Sequence, residues 1–444
     1  MSEVYSLYFT RKGEKMEYKE RMKWWNDARF GMFIHWGLYA LPAKDEWIRN
    51  SGRMTEEKYD KYFRHFNPDL YDPRAWAKAA ADAGMKYFVV TTKHHDGFCM
   101  WDSALTDYKV TNTAYGKDVL RPMVDAFREQ GIAVGFYHSL IDWHHPEFTI
   151  DGFHPLRNHP DAAELNKTRD MKKYVEYLHG QVEELLTGFG KIDILWFDFS
   201  YAGKMSSGHM GKGRDDWQSE KLHALVRKLQ PHIILNDRLG LDDVKGSWDV
   251  KTPEQWQPQE WLRVDGKPVV WEACQTFSGS WGYSRDEASW KSPEQLIKML
   301  INSVSCGGNL LMNVGPTGRG LFDNRALAAL DAYSNWMQLH ERAITGCTAS
   351  TFKAPADCRL TQNGKKLYIH VYSWPFQHLH MEGLEGKIEY AQLLNDSSEI
   401  SWKTSESSVH HEALKSESAK GNVVFELPVI KPDVIVPVIE VFLK

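Results

Sequence analysis

Short apolar and β-branched runs alternate along the chain with longer amphipathic stretches. The runs predict parallel strands, and the amphipathic stretches predict the helices that connect them. Seven strands are visible, at 31–35, 87–92, 133–138, 192–198, 233–236, 269–272 and 309–314. The alternation indicates a distorted (β/α)8-like (TIM-type) barrel, so an eighth strand is expected without a clear run to mark it.

Signals at helix ends support the same architecture. Helices are predicted at 74–83, 118–130, 172–186, 219–229 and 327–339. The first two end just before a glycine, a residue that commonly terminates helices. Another begins at Ser292, because an N-cap serine, a following proline and Gln295 form a capping box, and it ends before the glycine pair at Gly307.

The pattern of the chain changes near residue 345. Beyond it, short alternating runs and turn residues replace the helical pattern, and Asn363-Gly364 is a strong signal for a two-residue hairpin between 359–361 and 367–371. A last strand is predicted at 434–442, and the polar stretch 397–420 is a loop or an exposed strand. We therefore predict a barrel domain at 1–345 and a C-terminal β-sandwich at 346–444.

Charge and composition exclude several classes of protein. A net charge of -5 without a long basic run gives no surface for nucleic acid. No stretch approaches the ~18 consecutive apolar residues that a membrane span needs, and 1–23 are too polar for a signal peptide. Five cysteines without a Cys-x-x-Cys pair are typical of free thiols. We expect a cytoplasmic protein, and the sequence leaves open whether it is a homo-oligomer.

Polar side chains follow the predicted strands at the points where the strands end. They are His35, then His94, His95 and Asp96, then Tyr137 and His138, then Asp198, and finally Asn236, Asp237 and Arg238. Active sites of barrels are built at the C-terminal ends of the strands. These side chains are therefore expected to converge on one mouth.

Tryptophan is unusually frequent, with 18 residues in 444. Several tryptophans lie beside acidic or histidine residues near the ends of apolar runs, namely Trp36, Trp47, Trp101, Trp143, Trp196, Trp256 and Trp281. A single tryptophan is usually a core residue. The repeated pairing of indole rings with hydrogen-bonding side chains nevertheless suits a sugar, which offers C–H faces and hydroxyls together.

Asp198 is the central candidate for chemistry, because it ends the buried run 192–197 and a carboxylate there is costly unless it is used or paired. The structural alternative is an aspartate that caps the following turn. Two carboxylates at the mouth would suit glycoside hydrolysis, and the partners that remain open are Glu46, Glu254 and Glu272. The glycine-rich segment 201–217 is a lid or a surface loop.

A metal-dependent hydrolase with His35, His94, His95 and Asp198 as ligands is a second interpretation. Adjacent residues on a strand point to opposite faces, so His94 and His95 are not expected to bind one ion. We therefore expect neither a metal nor another cofactor.

Five short motifs stand in order along the barrel. They are Gly31-Met32-Phe33-Ile34-His35-Trp36-Gly37, Glu46-Trp47, Thr92-Lys93-His94-His95-Asp96-Gly97-Phe98, Leu195-Trp196-Phe197-Asp198 and Asn236-Asp237-Arg238. Together with the segment 307–316, they resemble motifs of the α-L-fucosidases of glycoside hydrolase family 29. The resemblance implies a retaining exo-glycosidase with a distorted barrel, a β-sandwich and no metal.

The resemblance also implies roles for individual residues. Asp198 matches the nucleophile. Glu254 matches the acid/base of some members and Glu272 the one argued for others, so we assign Glu254 and keep Glu272 as the second choice. Positions that line the fucose pocket are matched by His35, Glu46, Trp47, His94, His95, Tyr137, Trp196, Arg238 and Trp281. His138 departs from the pattern, because many members carry a second tyrosine there.

The implied function is hydrolysis of terminal α-L-fucose from fucosylated oligosaccharides or glycoconjugates, by double displacement through a covalent glycosyl-enzyme. The only implied partner is a small carbohydrate substrate. A metal-dependent hydrolase and a carbohydrate-binding protein without activity remain the alternatives.

Overall fold

Parallel strands curl into a sheet in the computed structural model, which describes residues 12–205, 208–404 and 421–444. The strands that precede the C-terminal domain are β1 (Phe30–Ile34), β2 (Tyr87–Lys93), β3 (Ala133–Ser139), β4 (Ile194–Asp198), β5 (Ile234–Leu235), β6 (Arg263–Val264), β7 (Lys267–Pro268), β8 (Glu272–Thr276) and β9 (Asn309–Val314). Seven of them pair in the order β5-β4-β3-β2-β1-β9-β8, all parallel, while β6 and β7 form a separate hairpin. The predicted distorted (β/α)8-like barrel is confirmed.

Residues 249–254 close the barrel between its two edge strands, β5 and β8. They make isolated parallel bridges to both sides, and the last of these pairs Glu254 with Cys274. The buried Asp249 carboxylate fixes the lower end of the segment, because it accepts the Leu235 N–H at 2.9 Å and binds two arginines. Pro253 has no N–H to donate, so a continuous ladder cannot form there. This segment occupies the position of the eighth strand.

Six of the seven predicted strands lie within two residues of their predicted bounds. The prediction for 269–272 is wrong, because the strand there is β8, Glu272–Thr276. The Val269 N–H instead donates to the carbonyl of Leu262, a residue outside the parallel sheet. Glu272 therefore begins a strand instead of ending one.

Helices cover the outside of the sheet. They are α1 (Lys12–Ala28), α2 (Ile48–Ser51), α3 (Glu56–His65), α4 (Pro73–Asp82), α5 (Leu120–Glu129), α6 (Ala162–Asn166), α7 (Met171–Gly188), α8 (Arg214–Trp217), α9 (Ser219–Leu229), α10 (Pro293–Ser305) and α11 (Asn324–His340). The capping box predicted at Ser292 and Gln295 is present. Met22 and Trp25 of α1 pack into the cluster that fills the barrel interior. Among the helices of the described ranges, none is long and apolar enough to cross a membrane.

Antiparallel strands follow α11 and form the predicted β-sandwich. They are β10 (Thr348–Ala349), β11 (Cys358–Asn363), β12 (Lys366–Val371), β13 (His378–Met381), β14 (Ile388–Leu393), β15 (Trp402–Thr404), β16 (Val423–Glu426) and β17 (Val438–Leu443). One sheet has the order β10-β11-β12-β17-β14 and the other β13-β16-β15. The predicted hairpin is present, but its two turn residues are Gly364 and Lys365, because Asn363 pairs with Lys366, and Gly364 has a φ of +57°. The domain limits at 345 and 346 stay a prediction, and of the polar stretch 397–420, residues 405–420 lie outside the described part.

Candidate active site

A cavity of about 420 Å³ lies at the C-terminal ends of the barrel strands. It is lined by Phe33, His35, Glu46, Trp47, His94, His95, Tyr137, Trp196, Asp198, Phe199, Arg238, Glu254, Cys274 and Trp281. Every first-choice site residue of the sequence analysis is therefore brought to one cavity. Phe33, Phe199 and Cys274 were missed. Phe33 lies two positions before His35, so the two-residue period of a strand was a signal that could have found it.

Asp198 ends β4 and is held from two sides. The Tyr137 hydroxyl donates to its Oδ2 at 3.0 Å, and Arg238 Nη1 donates to its Oδ1 at 3.0 Å. Burial alone would raise the pKa of Asp198, but the charge of Arg238 and these hydrogen bonds outweigh burial and lower it. Asp198 is therefore a carboxylate at neutral pH.

Arg238 joins Asp198 to Glu254. The same nitrogen, Nη1, contacts Asp198 Oδ1 at 3.0 Å and Glu254 Oε2 at 2.5 Å. The two oxygens cannot be farther apart than these distances taken together, about 5.5 Å, and carboxyl groups about 5–5.5 Å apart are typical of retaining glycosidases. Thr252 anchors the guanidinium through its hydroxyl and carbonyl, and the ring of Trp196 lies 4.6 Å below it.

The two carboxylates differ in exposure. The Asp198 side chain is 15% exposed and the Glu254 side chain is 43% exposed. Glu254 lies on the segment 249–254 that closes the barrel, at the rim of the cavity. One carboxylate is thus fixed in the wall, whereas the other meets solvent and can turn toward a bound molecule.

Three histidines form one side of the cavity and are neutral. Burial lowers the pKa of His35 to about 3, that of His95 to about 4, and that of His94 well below its ordinary value. His35 Nδ1 lies 2.6 Å from the Asn313 amide oxygen, which makes Nδ1 the donor and leaves Nε2 as an acceptor. Neutral imidazoles of this kind suit hydroxyl groups.

The expectation that His94 and His95 point apart is wrong, because their rings lie 4.0 Å from each other in the same cavity. The strand β2 ends at Lys93, after a register shift between Thr91 and Lys93, so the alternation of a strand no longer applies to them. His138 does lie on the other face of β3, where its Nδ1 contacts the Thr92 hydroxyl at 3.0 Å. It is buried in the barrel wall, away from the cavity.

The metal interpretation finds no support in the geometry. Within residues 12–205, 208–404 and 421–444, three potential ligand atoms come together only at Glu56, Asp60 and His144, outside the cavity. The histidines and Asp198 do not form such a group. The described residues of the cavity therefore do not include a group of three metal ligands.

Glu46 and two tryptophans complete the cavity. Glu46 is 4% exposed, its carboxylate accepts the Gly282 N–H at 2.7 Å, and burial raises its pKa to about 7. Trp47 packs against His95, and Trp281 packs against His35 and Phe33. The cavity thus has both apolar ring faces and hydrogen-bonding groups. Of the other tryptophans singled out in the sequence, Trp36, Trp101 and Trp143 are buried outside the cavity and Trp256 is exposed.

Glu272 does not line the cavity. It lies two residues before Cys274 on β8, one layer deeper in the barrel. Its carboxyl group accepts the Tyr87 hydroxyl and, at 3.3 Å, the indole N–H of Trp196. Burial raises the pKa of Glu272 to about 7, against the opposing effect of these hydrogen bonds. The structure therefore places Glu272 beneath Trp196, as a support of the cavity floor.

Comparisons with known proteins agree on one family. A family model described as Alpha-L-fucosidase matches residues 3–342. Alpha-L-fucosidase isoenzyme 1 from Paenibacillus thiaminolyticus is 42% identical, and its structure superposes with a TM-score of 0.88 over 96% of this chain and 100% of that chain. A family GH29 α-L-fucosidase from Bacteroides thetaiotaomicron, solved as a trapped covalent intermediate, is 27% identical with a TM-score of 0.80, over 96% of both chains. The plasma α-L-fucosidase of Homo sapiens is 28% identical over 357 residues, 74% of this chain and 71% of that protein.

We expect Glu272→Gln to stabilise the protein increasingly as the pH rises from 5 to 7. Folding raises the pKa of Glu272 from 4.5 to about 7, so the wild type loses stability over this range, in which the unfolded chain releases the proton that the buried carboxyl group still holds. Glutamine has nearly the same shape and does not titrate. Thermal midpoints measured between pH 5 and 8 should diverge up to about pH 7 and then keep a constant difference.

Glu46 and Asp96 also have pKa values raised to about 7 and about 6, but they titrate in both proteins and cancel in the difference. A difference in midpoint that does not change with pH would contradict the burial of a titrating carboxyl group at Glu272.

Proposed function

The chain belongs to the α-L-fucosidase family of glycoside hydrolases, and from that premise we propose that it is a retaining exo-α-L-fucosidase acting on fucosylated oligosaccharides or glycoconjugates. The observation that carries the proposal is the pair of carboxylates on one nitrogen of Arg238, which holds one oxygen of each no more than about 5.5 Å apart, as is typical of double displacement. The trapped covalent intermediate of the related Bacteroides thetaiotaomicron enzyme, in complex with 2-fluoro-fucosyl fluoride, supports the same mechanism.

Asp198 is the nucleophile of the proposed reaction. Its carboxylate attacks the anomeric carbon of fucose while Glu254 gives a proton to the leaving oxygen, which produces a covalent fucosyl-enzyme and the free leaving group. Attack removes the negative charge of Asp198, so Arg238 afterwards stabilises the Glu254 carboxylate alone. That carboxylate is the base which deprotonates water in the second step and releases fucose.

The cavity supplies separate surfaces for the two sides of fucose, a 6-deoxy sugar. Phe33, Trp196 and Trp281 provide ring faces for its methyl group and C–H surface. The neutral histidines and Glu46 provide partners for its hydroxyls. A cytoplasmic location is part of the proposal, supported by five cysteines that are all buried free thiols, as is usual in reducing compartments.

Hydrolysis of an aryl α-L-fucoside, followed by proton NMR, tests the proposal. Two successive inversions should give α-fucose as the first product, before it equilibrates in water. A β-anomer formed first would rule out double displacement. Binding of the fucoside without hydrolysis would instead support the alternative of a carbohydrate-binding protein without activity.

Asp198→Gly should lower turnover by about 10³-fold or more, because the nucleophile is lost. Azide should restore part of the activity by occupying the space of the missing carboxylate. The product should be β-fucosyl azide, since a single displacement inverts an α-glycoside. Near-normal hydrolysis by the variant without azide would show that another group is the nucleophile.

Glu254→Ala and Glu272→Ala should differ in their dependence on the leaving group. Without its acid, the Glu254 variant should lose far more activity on unactivated oligosaccharides than on an activated aryl fucoside, which needs little protonation. Azide should speed its second step and give the α-azide. The Glu272 variant should lose activity evenly across substrates, or lose stability, because that residue supports Trp196 from below. The reverse pattern would require the two assignments to be exchanged.

A further inference from the structure

A second cavity of about 750 Å³ lies beside the catalytic one and opens widely to solvent. It is lined by Phe153, Asp198, Phe199, Ser200, Tyr201, Asp237, Arg238, Gly240 and Asp242. Three of these residues, Asp198, Phe199 and Arg238, also line the catalytic cavity. The two cavities therefore adjoin at the nucleophile and at the arginine that holds both carboxylates. A molecule that extends from one cavity into the other would pass Asp198 and Arg238.

Three aromatic rings form one wall of this second cavity, and we call Phe153, Phe199 and Tyr201 the aromatic wedge. Their centroids are 4.9 Å apart for the two pairs that include Phe153 and 5.4 Å apart for Phe199 and Tyr201, with all three pairs edge to face. Each side chain is only partly buried. Partly exposed ring faces beside a sugar site are suited to stacking against a pyranose.

The backbone at Phe199 adopts a conformation that a residue with a Cβ rarely takes. Its φ is +75°, in the left-handed region, directly after the nucleophile. Such a conformation persists only where the surroundings determine it, and such residues cluster at functional sites. Here it directs the ring of Phe199 between His95, at 4.7 Å, and Phe153. Phe199 lines both cavities, and the ring of Phe153 also lies 6.1 Å from that of Trp47, which lines the catalytic one.

Buried polar groups fix the wedge from behind. The Asp151 carboxylate accepts the Phe153 N–H at 2.9 Å and the Tyr201 hydroxyl, and it forms a buried ion pair with Lys212. The Lys212 ammonium also donates to the Thr149 carbonyl at 2.9 Å. The rings are therefore held in place before any ligand arrives, which reduces the entropic cost of binding.

The charged groups that also line this cavity indicate a neutral ligand. Asp237 and Asp242 both bind Lys251, at 3.1 and 2.8 Å. Arg238 is already committed to Asp198 and Glu254. Among the described residues that line this cavity, an anionic ligand would thus meet carboxylates and only a cation that is already paired, whereas hydroxyl groups could donate to Asp242, whose side chain is 59% exposed.

We propose that the aromatic wedge is the subsite for the leaving-group sugar, and that it selects a neutral pyranose linked to fucose. The proposal rests on the proposed function, because a leaving group exists only if fucosides are hydrolysed. It names the residues that contact the sugar next to fucose, and these residues lie on the loops that follow β3 and β4.

Phe153→Ala tests the proposal, because Phe153 lines only the second cavity. The substrates are methyl α-L-fucoside and neutral fucosyl disaccharides, which have similar alkoxide leaving groups and differ in the sugar ring beyond the bond. The variant should lose about 5- to 20-fold in kcat/KM on the disaccharides, the size expected for a lost aromatic contact. Its kcat/KM on the methyl fucoside should stay within about 2-fold of the wild type.

Two further variants complete the experiment. Phe153→Tyr keeps the ring and should restore the preference for disaccharides. Phe376→Ala removes a phenyl ring that is 75% exposed on the β-sandwich and should leave both substrates unaffected. Equal losses on both substrates with Phe153→Ala, or no loss on either, would overturn the subsite.

The remaining outcomes separate the two proposals. A wild-type preference for a sulfated disaccharide over its neutral counterpart would overturn the choice of a neutral sugar. A wild type that hydrolyses neither the methyl fucoside nor the disaccharides nor an aryl fucoside would instead refute the proposed function.

Discussion

The guanidinium of Arg238 is the interaction on which the site depends. One of its nitrogens binds Asp198 from β4 and Glu254 from the closing segment, so two chain regions far apart in sequence meet at a fixed separation. Other residues hold the guanidinium in place. The Thr252 hydroxyl accepts a hydrogen bond from it, and the ring of Trp196 lies beneath it. Glu272 in turn accepts the indole N–H of that tryptophan. A planar, permanently charged side chain can hold such a network, whereas a lysine would act only as a point charge.

The irregular closure of the barrel explains why the two carboxylates are unequal. Asp198 ends a strand that pairs with β5 at Ile194 and Leu195 and with β3 as far as Asp198 itself, so its backbone is held by the sheet. Glu254 comes from a segment that makes only isolated bridges, next to a proline that cannot donate a hydrogen bond. The first arrangement suits a nucleophile that must stay in line with one carbon atom. The second leaves a side chain that can exchange its partner during the reaction.

Burial of the polar groups in and beneath the cavity costs free energy of folding. Three histidines are desolvated and neutral, and burial raises the pKa values of Glu46 in the cavity and of Glu272 beneath it to about 7. Buried titratable groups of this kind cluster at functional sites, because a structure without such a need would replace them with apolar residues. The hydrogen bonds from His35 to Asn313 and from the Gly282 N–H to Glu46 offset part of the cost and fix how each group faces a ligand.

The sequence by itself determined the architecture and most of the site. Strand and helix periodicity is local, and parallel strands bring their C-terminal ends to one mouth, so the residues that follow each run could be collected without coordinates. Only the tertiary structure decided what depends on register. A shift in β2 placed His94 and His95 in one cavity, and the true start of β8 moved Glu272 below the floor. The contacts of Glu254 and the aromatic wedge also appear only there. Register is set by pairing between distant segments, and a displacement of one residue reverses the face on which every side chain lies.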